Sequence, residues 1–100
     1  MNRTLLVIVR SGLDRRLYVR EAIDAALVCA AFDMQVSLMF EDDGAAFSHA
    51  PYFAQLFESG APEDFARVCT SAPTSAAHAE AVSNDEAIRM IATHQHILVA

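Results

Sequence analysis

The chain has 100 residues, of which 54% are hydrophobic and 20% charged, and its formal net charge is −6. This composition predicts one globular domain, residues 1–100, and the negative charge disfavours direct binding to nucleic acid or to anionic membranes. The seven cations are all arginines, so Schiff-base and P-loop chemistry, which need a lysine amine, are excluded. Two cysteines without a CxxC pair and no stretch of transmembrane length predict a soluble, cytoplasmic protein.

The first half of the chain predicts a strand, a helix and a second strand. Residues 4–9 form a continuous apolar run, which is typical of a strand buried on both faces of a parallel sheet. Residues 17–32 follow with one apolar stripe at helical spacing, and residues 34–40 alternate as a second strand. An acidic turn ends that strand, and we expect Ser48 to cap a second helix that has Pro51 in its first turn and Gly60 as its stop.

The second half predicts three further strands and one helix. Residues 65–69 predict a short buried strand that ends at Cys69, and residues 70–79 can hold one helical turn at most. Residues 80–82 predict a short strand, and Ser83 with Glu86 forms a capping box before a helix that leads to a last strand at 96–99. The order predicts an α/β three-layer sandwich with a mainly parallel five-stranded sheet.

Cys69 is the candidate catalytic residue. If a helix opens just after its strand, the helical N–H groups would make the thiol acidic and nucleophilic, and the hydroxyls of Thr70 and Ser71 could donate hydrogen bonds to the sulfur. The alternative is that Cys69 is a small buried hydrophobe. The same alternative is favoured for Cys29, which lies in an alanine-rich part of the first helix.

Five motifs occur in the order found in one known family. They are LLVIV at 5–9, REAIDAAL at 20–27, FEDDGA at 40–45, VCTSA at 68–72 and HQHIL at 94–98. On these motifs the chain resembles the DsrE/DsrF-like sulfur-relay family, which includes the Tus-type relay subunits. The resemblance implies a flavodoxin-like (DsrEFH-like) fold, oligomers of homologous subunits, and sulfur carried as a persulfide on Cys69.

The implied function is that of a sulfur-relay subunit that accepts sulfane sulfur from a donor protein and passes it to an acceptor protein, without a cofactor. One region departs from the family pattern. The family usually continues after the cysteine with a helix that contains L-R-x-R-G, whereas residues 73–78 here are PTSAAH. This departure leaves open the alternative of a non-catalytic structural or small-ligand-binding subunit of the same fold.

Three further groups of residues could bind a ligand, but each could also be a solvated surface group. The acidic turn at 41–44 could hold Mg²⁺, although a solvated turn is favoured. His78, His94 and His96 could supply zinc ligands with Cys69, but surface histidines are the default, and we predict no metal site. The basic loop at 10–16 should lie on the same sheet edge as Cys69, where it could hold an anion or attract an acidic partner, although a solvated loop is favoured.

Overall fold

The computed structural model describes residues 3–49, 51–57, 60–71 and 78–100. Its five strands are β1 (Arg3–Val9), β2 (Met34–Phe40), β3 (Arg67–Thr70), β4 (Glu80–Ala81) and β5 (His96–Val99). Its α-helices are α1 (Arg16–Ala31), α2 (Tyr52–Leu56) and α3 (Asn84–Thr93). Short 3₁₀ helices cover Leu13–Arg15, Asp42–Ser48 and Pro62–Asp64.

All five strands belong to one parallel sheet in the order β4-β3-β2-β1-β5. Strand β1 lies between two parallel neighbours, and Val7 pairs in register with Leu38 of β2 and with Leu98 of β5. Strands β2, β3 and β4 therefore follow one another on one side of β1, and β5 pairs with the other side of β1. This arrangement confirms the predicted α/β class and the parallel five-stranded sheet.

The sheet is covered on both faces, which explains why the first strand is apolar without alternation. Val7 and Val9 face a core formed with α1 and α2, which includes Val19 and Phe53. Leu6 and Ile8 face the opposite core, in which α3 contributes Ala87 and Met90. Side chains alternate between the two faces of a strand, so the side chains on both faces of β1 are buried. The three-layer prediction is confirmed.

The N-cap residue of α3 is Ser83, as the sequence predicted. Ser83 precedes the helix, and its Oγ accepts a hydrogen bond from the backbone N–H of Glu86 at 3.1 Å. This bond satisfies one of the amide groups that the first turn of a helix leaves unpaired. The Glu86 side chain does not complete the reciprocal half of a capping box, because it is bound to Arg67 and Arg89.

Three local predictions are wrong. Ser48 does not cap a helix; it ends the 3₁₀ helix, where its Oγ donates to the carbonyl of Ala45, and α2 begins after Pro51. That helix ends at Leu56 rather than at Gly60. The third strand starts at Arg67 rather than Phe65, since Phe65 instead packs edge-to-face against Phe57 at 5.8 Å between ring centroids. The helical turn that was expected after Cys69 falls mostly on residues 72–77, which lie outside the described residues.

Within the part of the chain that the structure describes, no helix combines the length and the apolar character needed to cross a bilayer.

Candidate functional site

Cys69 is the third residue of β3, and its side chain lies on the face of the sheet that α3 covers. It has no exposed surface, and its Sγ donates to the Sδ of Met90 in α3 at 3.8 Å. The surrounding core is apolar. It consists of Leu6, Ile8, Met39, Ala87 and Met90, with Val82 packed against it. The thiol therefore lies between the sheet and a helix rather than at an open rim.

Burial raises the pKa of the Cys69 thiol from its ordinary value of 9.0 to about 11. Loss of water around the sulfur is the main cause, because an apolar environment disfavours the thiolate. The positive charge of Arg67 offsets part of this rise, whereas the carboxylates of Glu80, Glu86 and Glu41 add to it. At neutral pH the thiol is protonated, which is the opposite of the acidic thiol that the sequence led us to expect.

The hydroxyl groups expected to support a thiolate have other acceptors. Thr70 Oγ1 donates to the carbonyl of Phe40 at 3.1 Å, and Ser71 Oγ donates to Glu41 Oε2 at 3.3 Å. The Ser71 amide also donates to the carbonyl of Phe40. These bonds tie the end of β3 to β2 and its acidic turn. The Cys69 sulfur instead contacts another sulfur, that of Met90.

Arg67 is the residue that sequence reasoning missed. Its Nε and Nη2 each lie 3.0 Å from a carboxylate oxygen of Glu80, and its Nη1 lies 2.9 Å from Glu86 Oε1. Nη1 also lies 3.6 Å from Met90 Sδ. We call Arg67, Glu80 and Glu86 the arginine clamp, because they join β3, β4 and α3. These two carboxylates raise the Arg67 pKa, and Arg67 in turn lowers the Glu80 pKa.

The two-residue alternation of side chains along a strand could have indicated the position of Arg67. Residues two apart in a strand share a face, so Arg67 had to lie on the same side of β3 as Cys69. A half-buried arginine on a face otherwise lined by apolar side chains needs carboxylate partners. The sequence supplies Glu80 and Glu86 in the following elements, but nothing in their spacing indicated that both would converge on one guanidinium.

A polar groove of about 370 Å³ lies on the same face as Cys69. Ser37, Arg67, Glu86, Arg89 and His94 are among the side chains that line it, and Cys69 is not one of its lining residues. Its charged groups are already paired, because Glu86 binds both arginines. The groove therefore gives access to the arginine clamp but not to the sulfur.

The acidic turn after β2, residues 41–44, makes contacts that hold it against neighbouring parts of the fold. Glu41 Oε1 lies 3.5 Å from Arg10 Nη2, and the Glu41 amide donates to the carbonyl of Val9. Gly44 is buried so closely against β1 that a Cβ built on it would lie 2.0 Å from the Val9 carbonyl oxygen. The left-handed residue of this turn is Asp42, with φ of 51°. The turn is thus fixed by main-chain contacts, by the Arg10–Glu41 ion pair and by the hydrogen bond from Ser71 to Glu41.

The histidines are separated by the fold. His78 stacks on Phe53 with ring centroids 5.0 Å apart, and His94 Nδ1 lies 2.6 Å from the Met90 carbonyl oxygen. His96 lies on the edge strand β5. Over residues 3–49, 51–57, 60–71 and 78–100, no group of three or more histidine, cysteine, aspartate or glutamate side chains could hold a metal ion.

The basic loop lies at the carboxyl edge of the sheet, as predicted. The amides of Arg10 and Ser11 donate to the Ala100 carbonyl at 2.7 and 3.1 Å, which ties the loop to the end of β5. Arg15 does not face this edge as an open cation, because its guanidinium lies 4.4 Å from the centroid of the Tyr18 ring. The loop and the acidic turn therefore meet through Arg10 and Glu41.

Comparison with known proteins gives one partial match. Over 51 residues the chain is 45% identical to a protein from Pseudomonas aeruginosa PAO1 described as "Protein TusC homolog". The match covers 51% of this chain and 42% of the relative, so the aligned part spans less than half of the relative's length. No family model and no solved structure matches the chain. The similarity supports the resemblance to the DsrE/DsrF-like sulfur-relay family.

Proposed function

We propose that residues 1–100 form a single DsrE/DsrF-like domain that works in the cytoplasm as a subunit of a sulfur-relay assembly, and that it contributes structure and contact surfaces rather than a sulfur-carrying thiol. The observation that supports this choice is the full burial of Cys69 together with its raised pKa. The partners would be homologous subunits, with donor and acceptor thiols supplied by other chains. No nucleic acid, membrane or cofactor is needed for this role.

The chemistry of sulfur transfer explains why the Cys69 environment matters. A carrier thiolate attacks the outer sulfur of a donor persulfide, so a new S–S bond forms as the donor S–S bond breaks and the donor leaves as a thiolate. This step needs an ionised and accessible sulfur. With a pKa of about 11, only about one Cys69 in 10⁴ would be ionised at pH 7. Burial removes access as well.

A second candidate is the persulfide carrier, with Cys69 as the catalytic residue. The observation that favours it is Arg67, which lies on the same face of β3 and lowers the Cys69 pKa against the effect of burial. An anionic persulfide beside a guanidinium would be stabilised by charge-assisted hydrogen bonds. Carrier activity would then require that α3 move away from the sheet, so that Met90 no longer covers the sulfur.

Mass spectrometry after treatment with a low-molecular-weight alkyl persulfide separates the two candidates. Cys29→Ser removes the half-buried second thiol, so that any added mass reports on Cys69 alone. A structural subunit should gain no sulfur while folded and should gain about 32 Da when unfolded in urea. Rapid addition of one sulfur to the folded protein would overturn the structural role and support the carrier. Cys69→Ser is the matched control for non-specific addition.

The relay role itself is tested in cells that lack the chain. Deletion should reduce the yield of sulfur-modified product, and both the natural chain and Cys69→Ala should restore it. Failure of deletion to change that yield would overturn the relay proposal. Rescue by the natural chain but not by a folded Cys69→Ala variant would favour the carrier over the structural subunit.

A further inference from the structure

We propose that a cavity between α1 and α2 is a binding site for a small aromatic carboxylate, an organic anion with a flat apolar body. The cavity has a volume of about 280 Å³, which is near the lower limit of the pockets that hold small molecules in proteins. It lies on the face of the sheet that α1 and α2 cover, whereas Cys69 lies in the core beneath α3. The proposal therefore goes beyond the relay role and does not depend on it.

Two arginines of α1 supply the positive charge of the cavity. Arg16 and Arg20 both line it, and residues four apart on a helix lie on the same side, one turn from each other. Among the described side chains that line the cavity, none is acidic. In a chain with a net charge of −6, a cavity with two cations and no described carboxylate is suited to an anion.

Arg16 lies at a position where its own helix does not favour a cation. It is the first residue of α1, and the N-terminal end of a helix dipole is stabilised by anions. The first turn of α1 contains no acidic residue. Within the described part of the chain, no carboxylate forms an ion pair with Arg16. A bound carboxylate would compensate the charge of the guanidinium and of the helix end together.

Arg20 contributes a second guanidinium from a half-buried position. It also makes another interaction within the chain. A guanidinium carries five N–H donors in one plane, so an arginine can bind a carboxylate through two of them and keep a further partner. This planar pairing is the reason that the proposed anion is a carboxylate.

Buried apolar side chains form the floor of the cavity. Phe47 and Leu56 are 1% and 2% exposed, and Tyr52 of α2, which also lines the cavity, is half-buried. Aromatic side chains pack well against a flat aromatic ligand, and a guanidinium stacks on the face of such a ring. This floor therefore favours an anion with an aromatic body over a small mineral anion.

The rim of the cavity also suits such a ligand. Leu17 lines the cavity and is 67% exposed, although it is a large aliphatic residue. A ligand that lay against Leu17 would remove part of this apolar surface from water. Gln55 is an exposed lining residue on α2, and its side-chain amide is a further donor for a carboxylate.

Titration of the natural chain with benzoate tests the proposal, with ¹H–¹⁵N NMR spectra recorded at constant ionic strength. We expect saturable shifts of the amide signals in the first two turns of α1, around Phe47 and in α2, with a dissociation constant of about 1 mM or less. Benzamide has the same ring without the charge, and acetate has the charge without the ring. Each should bind at least about tenfold more weakly.

Charge variants with matched controls locate the site. Arg16→Met and Gln55→Glu should each weaken benzoate binding at least about tenfold, because one removes a cation and the other adds a carboxylate to the cavity. Arg89→Met and Gln35→Glu make the same two changes at exposed residues that do not line the cavity. Both controls should bind benzoate as the natural chain does. The NMR spectrum of each variant also establishes that it is folded.

Several results would overturn the proposal: no saturation with benzoate below about 10 mM, equal affinity for benzamide or acetate, shifts confined to another part of the chain, or equal losses in the control variants. None of these results bears on the persulfide measurement at Cys69 or on rescue in cells. Failure of the cavity site and failure of the relay role are therefore distinguishable.

Discussion

Arg67 Nη1 donates to Glu86 Oε1 at 2.9 Å, and this bond joins the third strand of the sheet to the helix that covers it. The same guanidinium holds both carboxylate oxygens of Glu80. Arg67 is about one-third exposed, so solvent screens each pair in part. The stabilisation by the arginine clamp therefore comes from the number of hydrogen bonds that one planar guanidinium makes, rather than from any single ion pair.

Removal of the Arg67 guanidinium should destabilise the fold by about 1–2 kcal/mol, because Glu80 and Glu86 would lose a shared partner. Arg67→Met keeps the aliphatic stem and removes only the charge and its donors. The measurement is the free energy of unfolding from urea denaturation. Arg89→Met is the matched control, since Arg89 is 70% exposed and its bond to Glu86 is 3.2 Å long. Equal losses in the two variants would contradict the clamp.

Stability should fall as the pH rises through the range in which Cys69 ionises. The thiol pKa is 9.0 ordinarily and about 11 in the fold, so the unfolded chain loses this proton first. Below about pH 9 the neutral thiol contributes its full effect; between about pH 9 and 11 up to about 2–3 kcal/mol is lost.

The measurement for this pH dependence is the difference between the natural chain and Cys69→Ala in urea denaturation at about pH 8 and about pH 11. Subtracting the variant removes the contribution of all other residues, because the two proteins differ only at position 69. The gap between the two proteins should narrow, or reverse, at the higher pH. A gap that is independent of pH would show that the Cys69 thiol is not buried in its neutral form.

Gly44 should be the glycine least tolerant of substitution. A Cβ at this position would lie 2.0 Å from the Val9 carbonyl oxygen, so Gly44→Ala forces β1 and the acidic turn apart. We expect a loss of about 3 kcal/mol in the free energy of unfolding. Gly12→Ala is the control, since the nearest atoms to its Cβ are 3.3 Å away, and it should cost less than about 1 kcal/mol. Comparable losses would contradict the close approach at Gly44.

The sequence was sufficient for the elements whose signal is local. The β-branched run at 4–9 and the alternation at 34–40 gave β1 and β2, the latter with the bounds observed. The order of elements then limited the topology to a parallel sheet with helices on both faces. The acidic turn was predicted from its residue types, but their roles were not: the left-handed residue is Asp42, and Gly44 is needed for close packing against Val9.

The candidate site was less predictable, because its properties come from packing between distant elements. Cys69 was correctly placed in the third strand, although β3 ends one residue later at Thr70. Its accessibility depended on whether Met90, twenty-one residues away, would cover it. The pairing of Arg67 with Glu80 and Glu86 likewise joins three elements. A sequence pattern within one element carries no information on such contacts.

The N-cap of α3 offers a test of how the helix that covers Cys69 is held. Ser83 Oγ accepts from the Glu86 amide at 3.1 Å, and Glu86 itself is bound to Arg67. Ser83→Ala should cost about 1 kcal/mol, because the amide loses its acceptor at a helix end where few others are available. Ser83→Asp should restore most of this loss, since its carboxylate is also a good cap and suits the helix dipole.

Hydrogen exchange at the amides of α3 gives a second measure of this cap. Ser83→Ala should speed exchange in the first turn more than at its last residue, Thr93, because a lost cap frays the end it closes. The Cys69 thiol should also react faster with an alkylating reagent, as α3 covers it through Met90. Unchanged exchange and an unchanged alkylation rate in a Ser83→Ala variant would mean that the cap does not help to hold α3 against the sheet.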